Sequence, residues 1–163
     1  MKIKYISGDM IDMMKDPEQL KIPTIFVHGC NCHLAMKSGI AGGISIHFPE
    51  AVQADEWYYK YFKDNMDMLG NYSYINLSEG VSVSKLCNLY TQYFPGADLR
   101  LDALEDTFRN IAEDYGYEGY RLVFPKIGAG VAGGDWEVIS RIIENTIDDG
   151  DFTEIICVEW NKK

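Results

Sequence analysis

The chain has 163 residues, 47% hydrophobic and 25% charged, a globular composition long enough for one full core and too short for two ordinary domains. Its net charge is −10 and its lysines are scattered, which argues against a nucleic-acid partner, since tracking a phosphate backbone needs grouped Lys and Arg. No run approaches the ~20 apolar residues of a membrane span, and Met1 to Lys4 opens into a strand-like segment without a signal-peptide core, so the expected location is the cytoplasm, with no membrane partner.

Lys2 to Ile6 alternates polar and apolar and reads as a first strand. Ser7-Gly8-Asp9 turns into a short helix carrying Met10, Ile11, Met13 and Met14, with Asp9 placed to cap it, and Asp16-Pro17-Glu18 ends that helix. Pro23 to Val27 is a buried strand, and the stretch that follows, HGCNCHLAMKSGIAGGISIHFP, passes through a polar turn and a glycine loop into a helix. Gly39, Gly42 and Gly43 would let backbone approach a ligand, and the helix N-terminus beside them would aim N–H groups at an anion. An ordinary βα turn has the same composition, so this stretch by itself leaves both readings open.

Ile40, Ile44, Ile46, His47 and Phe48 belong to a helix that Pro49 interrupts or restarts, and Ala51 to Phe62 is helical, with Val52, Trp57, Tyr58 and Tyr61 read as packing residues. Asn65 to Gly70 is expected as a loop, Tyr72 to Leu77 as a strand, and Val81 to Tyr93 as a further β region ended by Phe94-Pro95-Gly96. Asp98 to Tyr115 is the clearest amphipathic helix, with Leu101, Leu104, Phe108, Ile111, Ala112 and Tyr115 on one side and Arg109 on the solvated side. Tyr120 to Phe124 is a strand that feeds a second glycine loop, PKIGAGVAGG (Pro125 to Gly134). Asp135 then caps a helix with Trp136, Ile139, Ile142, Ile143 and Ile147 inward, and Phe152 to Trp160 is a buried last strand.

With no linker, repeat or low-complexity segment, residues 1–163 read as one domain, a three-layer α/β/α sandwich around a mixed, mostly parallel sheet. In such sheets ligands sit at the carboxyl ends of the strands, where two glycine loops would face one crevice and hold a diphosphate from opposite sides. An acidic protein can bind such a group only locally, through oriented backbone N–H groups.

Four cysteines need an assignment. His28, Cys30, Cys32 and His33 form H-x-C-x-C-H, tighter than the usual spacing of structural zinc ligands and without a second paired cluster. No secretory context favours a disulfide framework, and Cys87 and Cys157 lie in apolar runs, so reduced, mostly buried thiols are expected, with no metal and no cofactor.

Four features in order resemble the macrodomains, which bind ADP-ribose: the strand ending in Gly8-Asp9-Met10, the Asn31 segment with its loop, the Gly128-Ala129-Gly130-Val131 loop, and a last strand ending in Trp160. Within that family HGCNC, SGIAGG, LYTQYFPG and PKIGAG look most like the fungal-type ADP-ribose-1″-phosphate phosphatases, and next most like the terminal ADP-ribose protein glycohydrolases. The resemblance implies a small-molecule ligand, ADP-ribose or a derivative. It implies contacts from Gly8, Asp9 and Met10, with Asp9 accepting from the adenine amino group, and from Gly29, Cys30 and Asn31, with Asn31 at the distal ribose. It further implies Met36, Lys37, Ser38, Gly39, Ile40 and Ala41 in the first loop, Ile127, Gly128, Ala129, Gly130, Val131, Ala132 and Gly133 in the second, and Trp160.

The catalytic candidates are Asn31 to orient a water, His28 as acid or base, and Lys37 beside a terminal phosphate. The bland alternatives stay beside them: a turn Asn serving its own backbone, a near-core histidine, a solvated loop lysine. The glycohydrolase branch's catalytic Lys has no counterpart in Leu89 to Tyr93, and Ala132 stands where its Asp would be. The viral macrodomains have a His where Met36 and Lys37 stand here. An enzyme releasing the 1″-phosphate, a non-catalytic binder and a protein ADP-ribosyl hydrolase therefore remain the expectations, and the sequence carries no signal for oligomeric state.

Overall fold

The computed structural model describes residues 1–160 and alternates strands with helices: β1 (Ile3–Gly8), α1 (Met10–Lys15), α2 (Pro17–Leu20), β2 (Thr24–Cys30), α3 (Gly39–His47), α4 (Pro49–Tyr61), β3 (Tyr72–Asn76), β4 (Lys85–Tyr90), α5 (Leu101–Tyr115), β5 (Arg121–Phe124), α6 (Trp136–Thr146) and β6 (Ile155–Trp160). The strands form one mixed sheet in the order β1-β6-β5-β2-β4-β3, parallel throughout except for β3, which runs antiparallel to β4 at one edge. The parallel strands therefore end together along one edge, which carries Gly8, Asn31, Thr91, Pro125 and Trp160 at or just beyond their C-termini.

Alternation along the central strands divides the core. Ile25 and Val27 of β2, with Cys87 and Leu89 of β4, face Leu104, Phe108 and Ile111 of α5 and Ile139 and Ile143 of α6. Phe26 and Cys30, with Leu86 and Tyr90, face the opposite layer, where Met10, Met14, Ile44 and Ala51 come from α1, α3 and α4. Strands covered on both faces need not alternate in polarity, which is why apolar residues run consecutively at 25–27 of β2, 122–124 of β5 and 155–158 of β6.

Several expected boundaries change. The β region expected over Val81 to Tyr93 pairs only from Lys85 to Tyr90, and the loop expected at Asn65 to Gly70 contains a 3₁₀ turn, Asn65–Met68, capped by Asp64. Pro49 restarts rather than interrupts, standing at the first turn of α4, where a proline has no N–H to lose. Asp9 and Asp135 cap α1 and α6 as expected, their carboxylates accepting from the N–H of Ile11 and Glu137. Among the described residues, no helix is long and apolar enough to cross a membrane.

Candidate functional site

At the carboxyl edge the two glycine loops enclose a cleft of about 390 Å³. One wall is Met36 to Ala41, the other Ile127, Gly128 and Gly130 to Ala132, and Gly29, Cys30 and Asn31 enter from the end of β2. A third segment, which sequence reasoning assigned no role at the site, closes the far side: Thr91, Gln92, Pro95 and Gly96 beyond β4. Gln92 stiffens that segment by donating from Nε2 to the carbonyls of Phe94 (2.7 Å) and Gly96 (2.8 Å).

The first wall ends in the N-terminus of α3. Ser38 occupies the cap position but makes no side-chain cap bond, so the first N–H groups of the helix, at Gly39, Ile40 and Ala41, are left beside the cleft without the usual hydroxyl acceptor. Such a terminus favours an anion through its free donors and the helix dipole together. The charged side chains lining the cleft are Lys37 and Lys126; no carboxylate borders it among the described residues. Lys126 Nζ lies 3.5 Å from Glu159 Oε2, whereas Lys37 has no carboxylate within 4.0 Å among the described residues.

The glycines divide into two kinds. A Cβ on Gly43 would lie 2.6 Å from Ile11 Cδ1, and one on Gly42 3.1 Å from the Lys37 carbonyl oxygen, so both let α3 pack rather than admit a ligand. In the second loop, a Cβ on Gly134 would fall 2.3 Å from Leu99 Cδ2, and Gly128 combines a φ of +78° with the same neighbour at 3.0 Å. Gly39 and Gly130 are different: nothing lies within 4 Å of the position a Cβ would take. Gly39 holds a φ of +58°, which itself favours glycine; Gly130 has no such constraint.

The Macro domain family model matches residues 27–143. The chain belongs to the macrodomain family. It is 30% identical over 167 residues to an uncharacterized 17.5 kDa protein of Enterobacteria phage T4, covering 98% of this chain and 97% of that one. It is 25% identical to an ADP-ribose 1″-phosphate phosphatase of Saccharomyces cerevisiae over 184 residues, 93% of this chain and 96% of that one. The solved structure of an Oceanobacillus iheyensis macrodomain with ADP superposes with a TM-score of 0.63 at 17% identity, covering 97% of this chain and 83% of the other.

This macrodomain gathers most, but not all, of the expected site residues at one place. Gly8, Asp9, Met10, Ala129, Gly133 and Trp160 lie outside the lining of the cleft. Gly8 and Trp160 pair across β1 and β6 at the same sheet edge, with Trp160 67% exposed. Asp9 Oδ1 is occupied by the Ile11 N–H at 2.8 Å, and the Met10 side chain is buried in the α1–α4 layer.

Asn31 lines the cleft and its amide also braces its own loop: one N–H of Nδ2 donates to the Ala35 carbonyl at 3.0 Å, and Oδ1 accepts from the N–H of His33 at 2.9 Å and of Ala35 at 3.4 Å. It holds the first wall in shape.

His28 is a correction. Its side chain is fully buried and absent from the cleft lining, because strand alternation turns it into the α1–α4 layer with Phe26 and Cys30. Nε2 lies 2.6 Å from Asn88 Oδ1, and since Asn88 Nδ2 donates to Ala51 O and Ser73 Oγ, Oδ1 must accept and Nε2 must carry the proton. Burial, opposed by that hydrogen bond, lowers the imidazole pKa to about 4. A ring so placed does not reach a ligand.

All four cysteines are free and buried. Burial pushes the thiol of Cys30 well up and that of Cys32 to about 12, so neither offers a thiolate. No group of three His, Cys, Asp or Glu side chains among the described residues could hold a metal ion. One polar atom in the wall stands out: Thr91 Oγ1 is buried and has no hydrogen-bond partner. The missed third segment had a signal, the turn sequence Phe94-Pro95-Gly96 after an apolar run, which in a parallel sheet must fall at the ligand edge.

Proposed function

We propose that the cleft binds ADP-ribose or its 1″-phosphate, with the diphosphate between the N-terminus of α3 and the second glycine loop. The observation that carries this reading is the charge of the lining. In a chain of net charge −10, the charged side chains at the cleft are the two cations Lys37 and Lys126, one on each wall, beside the uncapped helix end. The yeast relative's name specifies an ADP-ribose derivative, and the Oceanobacillus macrodomain holds ADP, which shares its adenosine diphosphate portion with ADP-ribose. Asp9 and Trp160, along the same edge, are proposed to meet the adenine beyond the cleft, Asp9 through the oxygen that its helix cap leaves free.

Titration calorimetry tests this. ADP-ribose is expected to bind much more tightly than AMP, because AMP lacks the second phosphate and the distal ribose that the two walls would hold; equal affinities, or no binding of either, overturn the reading. Gly130→Val sharpens it. No atom lies near its Cβ position, so the fold and melting temperature should be unchanged while ADP-ribose binding falls at least about tenfold, roughly 1.4 kcal/mol. An unaffected affinity would take the second loop out of the site.

A second reading is hydrolysis of the 1″-phosphate, favoured by the yeast relative and by Lys37, which has no carboxylate beside it among the described residues. With His28 buried and no carboxylate or imidazole in the lining among the described residues, the base nearest the attacking water would be an oxygen of the substrate's own phosphate. Phosphate release from ADP-ribose-1″-phosphate decides between the two: release above background that falls in Lys37→Ala supports turnover, and binding without release leaves a binder.

A further inference from the structure

The register that pairs Phe124 of β5 with Cys157 of β6 brings the next matching pair, Lys126 and Glu159, together at the ligand edge. Lys126 borders the cleft and Glu159 does not. Their charged atoms are 3.5 Å apart and both side chains are 46% exposed, so the pair is a weak, solvent-screened one that a stronger anion can replace. Lys37, on the opposite wall, has no such partner among the described residues. Among the described residues the two cations of the cleft are thus unlike: one has no carboxylate beside it, the other is held by Glu159.

We propose that Lys126 is a ligand-selecting cation and Glu159 its resident counter-ion, displaced when a diphosphate enters the cleft. This rests on the ADP-ribose reading and adds to it a filter on ligand charge. A diphosphate brings two negative charges against the one of Glu159 and takes over the ammonium group. A neutral nucleoside leaves the ion pair intact and gains nothing from it. Glu159 itself stays close to the bound anion and repels it, so it lowers affinity for every diphosphate ligand and leaves a neutral ligand unaffected.

The two substitutions should act in opposite directions. In calorimetric titrations of the full chain at low ionic strength, Lys126→Met is expected to weaken ADP-ribose binding by about tenfold, the usual scale of one charge-assisted contact. Glu159→Gln is expected to tighten it by about two- to threefold, through the freed ammonium and the removed repulsion. The gain should shrink when Lys126 is already Met, since part of it passes through that side chain. It should also fade as salt is raised. Adenosine should respond to neither change.

If Glu159→Gln leaves ADP-ribose affinity unchanged or lowers it, or if Lys126→Met binds as wild type does, the counter-ion role is wrong while the ADP-ribose reading stands. If the wild-type chain does not bind ADP-ribose at all, both fall. Melting temperatures of the two exposed-site variants should match wild type, and a large drop would also overturn the proposal by making the pair structural.

Discussion

On the α5/α6 face of the sheet, Leu104, Phe108, Ile111, Ile139 and Ile143 close over Val27, Leu89, Leu122 and Phe124, and the one buried hydroxyl of α5, on Thr107, turns back to its own helix at Leu104 O. On the α1–α4 face a row of polar side chains crosses the sheet instead. Ser73, Asn88 and His28 sit at paired positions on β3, β4 and β2, and Tyr90 carries the row on to Asp55 of α4. From Asn88 a chain of donors runs toward Asp55: amide to Ser73 (3.0 Å), Ser73 and Tyr90 hydroxyls in contact (2.8 Å), and Tyr90 hydroxyl to the carboxylate (2.8 Å). The apolar face is held chiefly by burial, which is insensitive to pH. The polar face is held by a satisfied network whose two ends titrate.

The largest effect expected on this contrast comes from Phe108→Ala, which empties the centre of the apolar face and should cost about 3–5 kcal/mol in denaturant unfolding. The loss should be the same at pH 5 and pH 7.5. A loss that varied with pH would show that the two faces are energetically joined.

The polar face supplies the next effect, and its sign reverses between its ends. Burial raises the Asp55 carboxyl to about 6, with the Tyr90 hydrogen bond opposing and Glu56 adding to the rise. Between the ordinary carboxyl value near 3.8 and about 6 the folded protein therefore holds a proton that the unfolded chain lacks, so this group favours folding at low pH and loses that contribution as pH rises. His28, lowered from 6.5 to about 4, does the opposite: between these values the unfolded chain takes up the proton, and stability falls as pH falls.

In wild type the two offset. Asp55→Asn should leave the His28 slope exposed, with stability rising with pH by about 1.4 kcal/mol per unit from pH 4 to 6 relative to wild type. His28→Gln should give a slope of the opposite sign relative to wild type. Urea unfolding at half-unit pH steps reads both slopes, and equal slopes in all three proteins would mean that neither group titrates in this window.

The smallest effect is a gain. Thr91 Oγ1, buried beside Ile127 and Gly29 without a partner, is the exception to the orderly pairing on the other face. Thr91→Val keeps the shape and removes the orphan hydroxyl, so it should stabilise the free protein by about 1 kcal/mol, a rise of a few degrees in melting temperature. A fall instead would mean that the hydroxyl is satisfied in solution.

The same contrast explains what could be read in advance. The α5 helix, the α6 helix with its Asp135 cap and the buried strands were legible because each follows from a local pattern: apolar spacing, a capping side chain, a run with no polar face. Asp9 was also legible as a cap, for the same reason. The role expected of His28 was not, because HGCNC looks alike whether the imidazole faces the cleft or the core. Strand parity and the amide of Asn88, sixty residues along the chain, turned it inward. The loop glycines behaved in the same way: composition marks a glycine loop, but only neighbours such as Ile11 and Leu99 show which glycines make room for protein and which leave room for a ligand.

The sequence by itself determined the order of strands and helices, the two glycine loops that follow β2 and β5, and an excess of negative charge that confines anion binding to local backbone and a few lysines. These depend on residues a few positions apart, and short-range periodicity and turn chemistry carry them. Only the tertiary structure decided that Lys37 and Lys126 stand at one cleft, that Gln92 and its loop form its third side, and that Asp55 and His28 end one hydrogen-bonded row. Each of these joins residues far apart in the chain, and such proximity comes from sheet order and register, which no local pattern encodes.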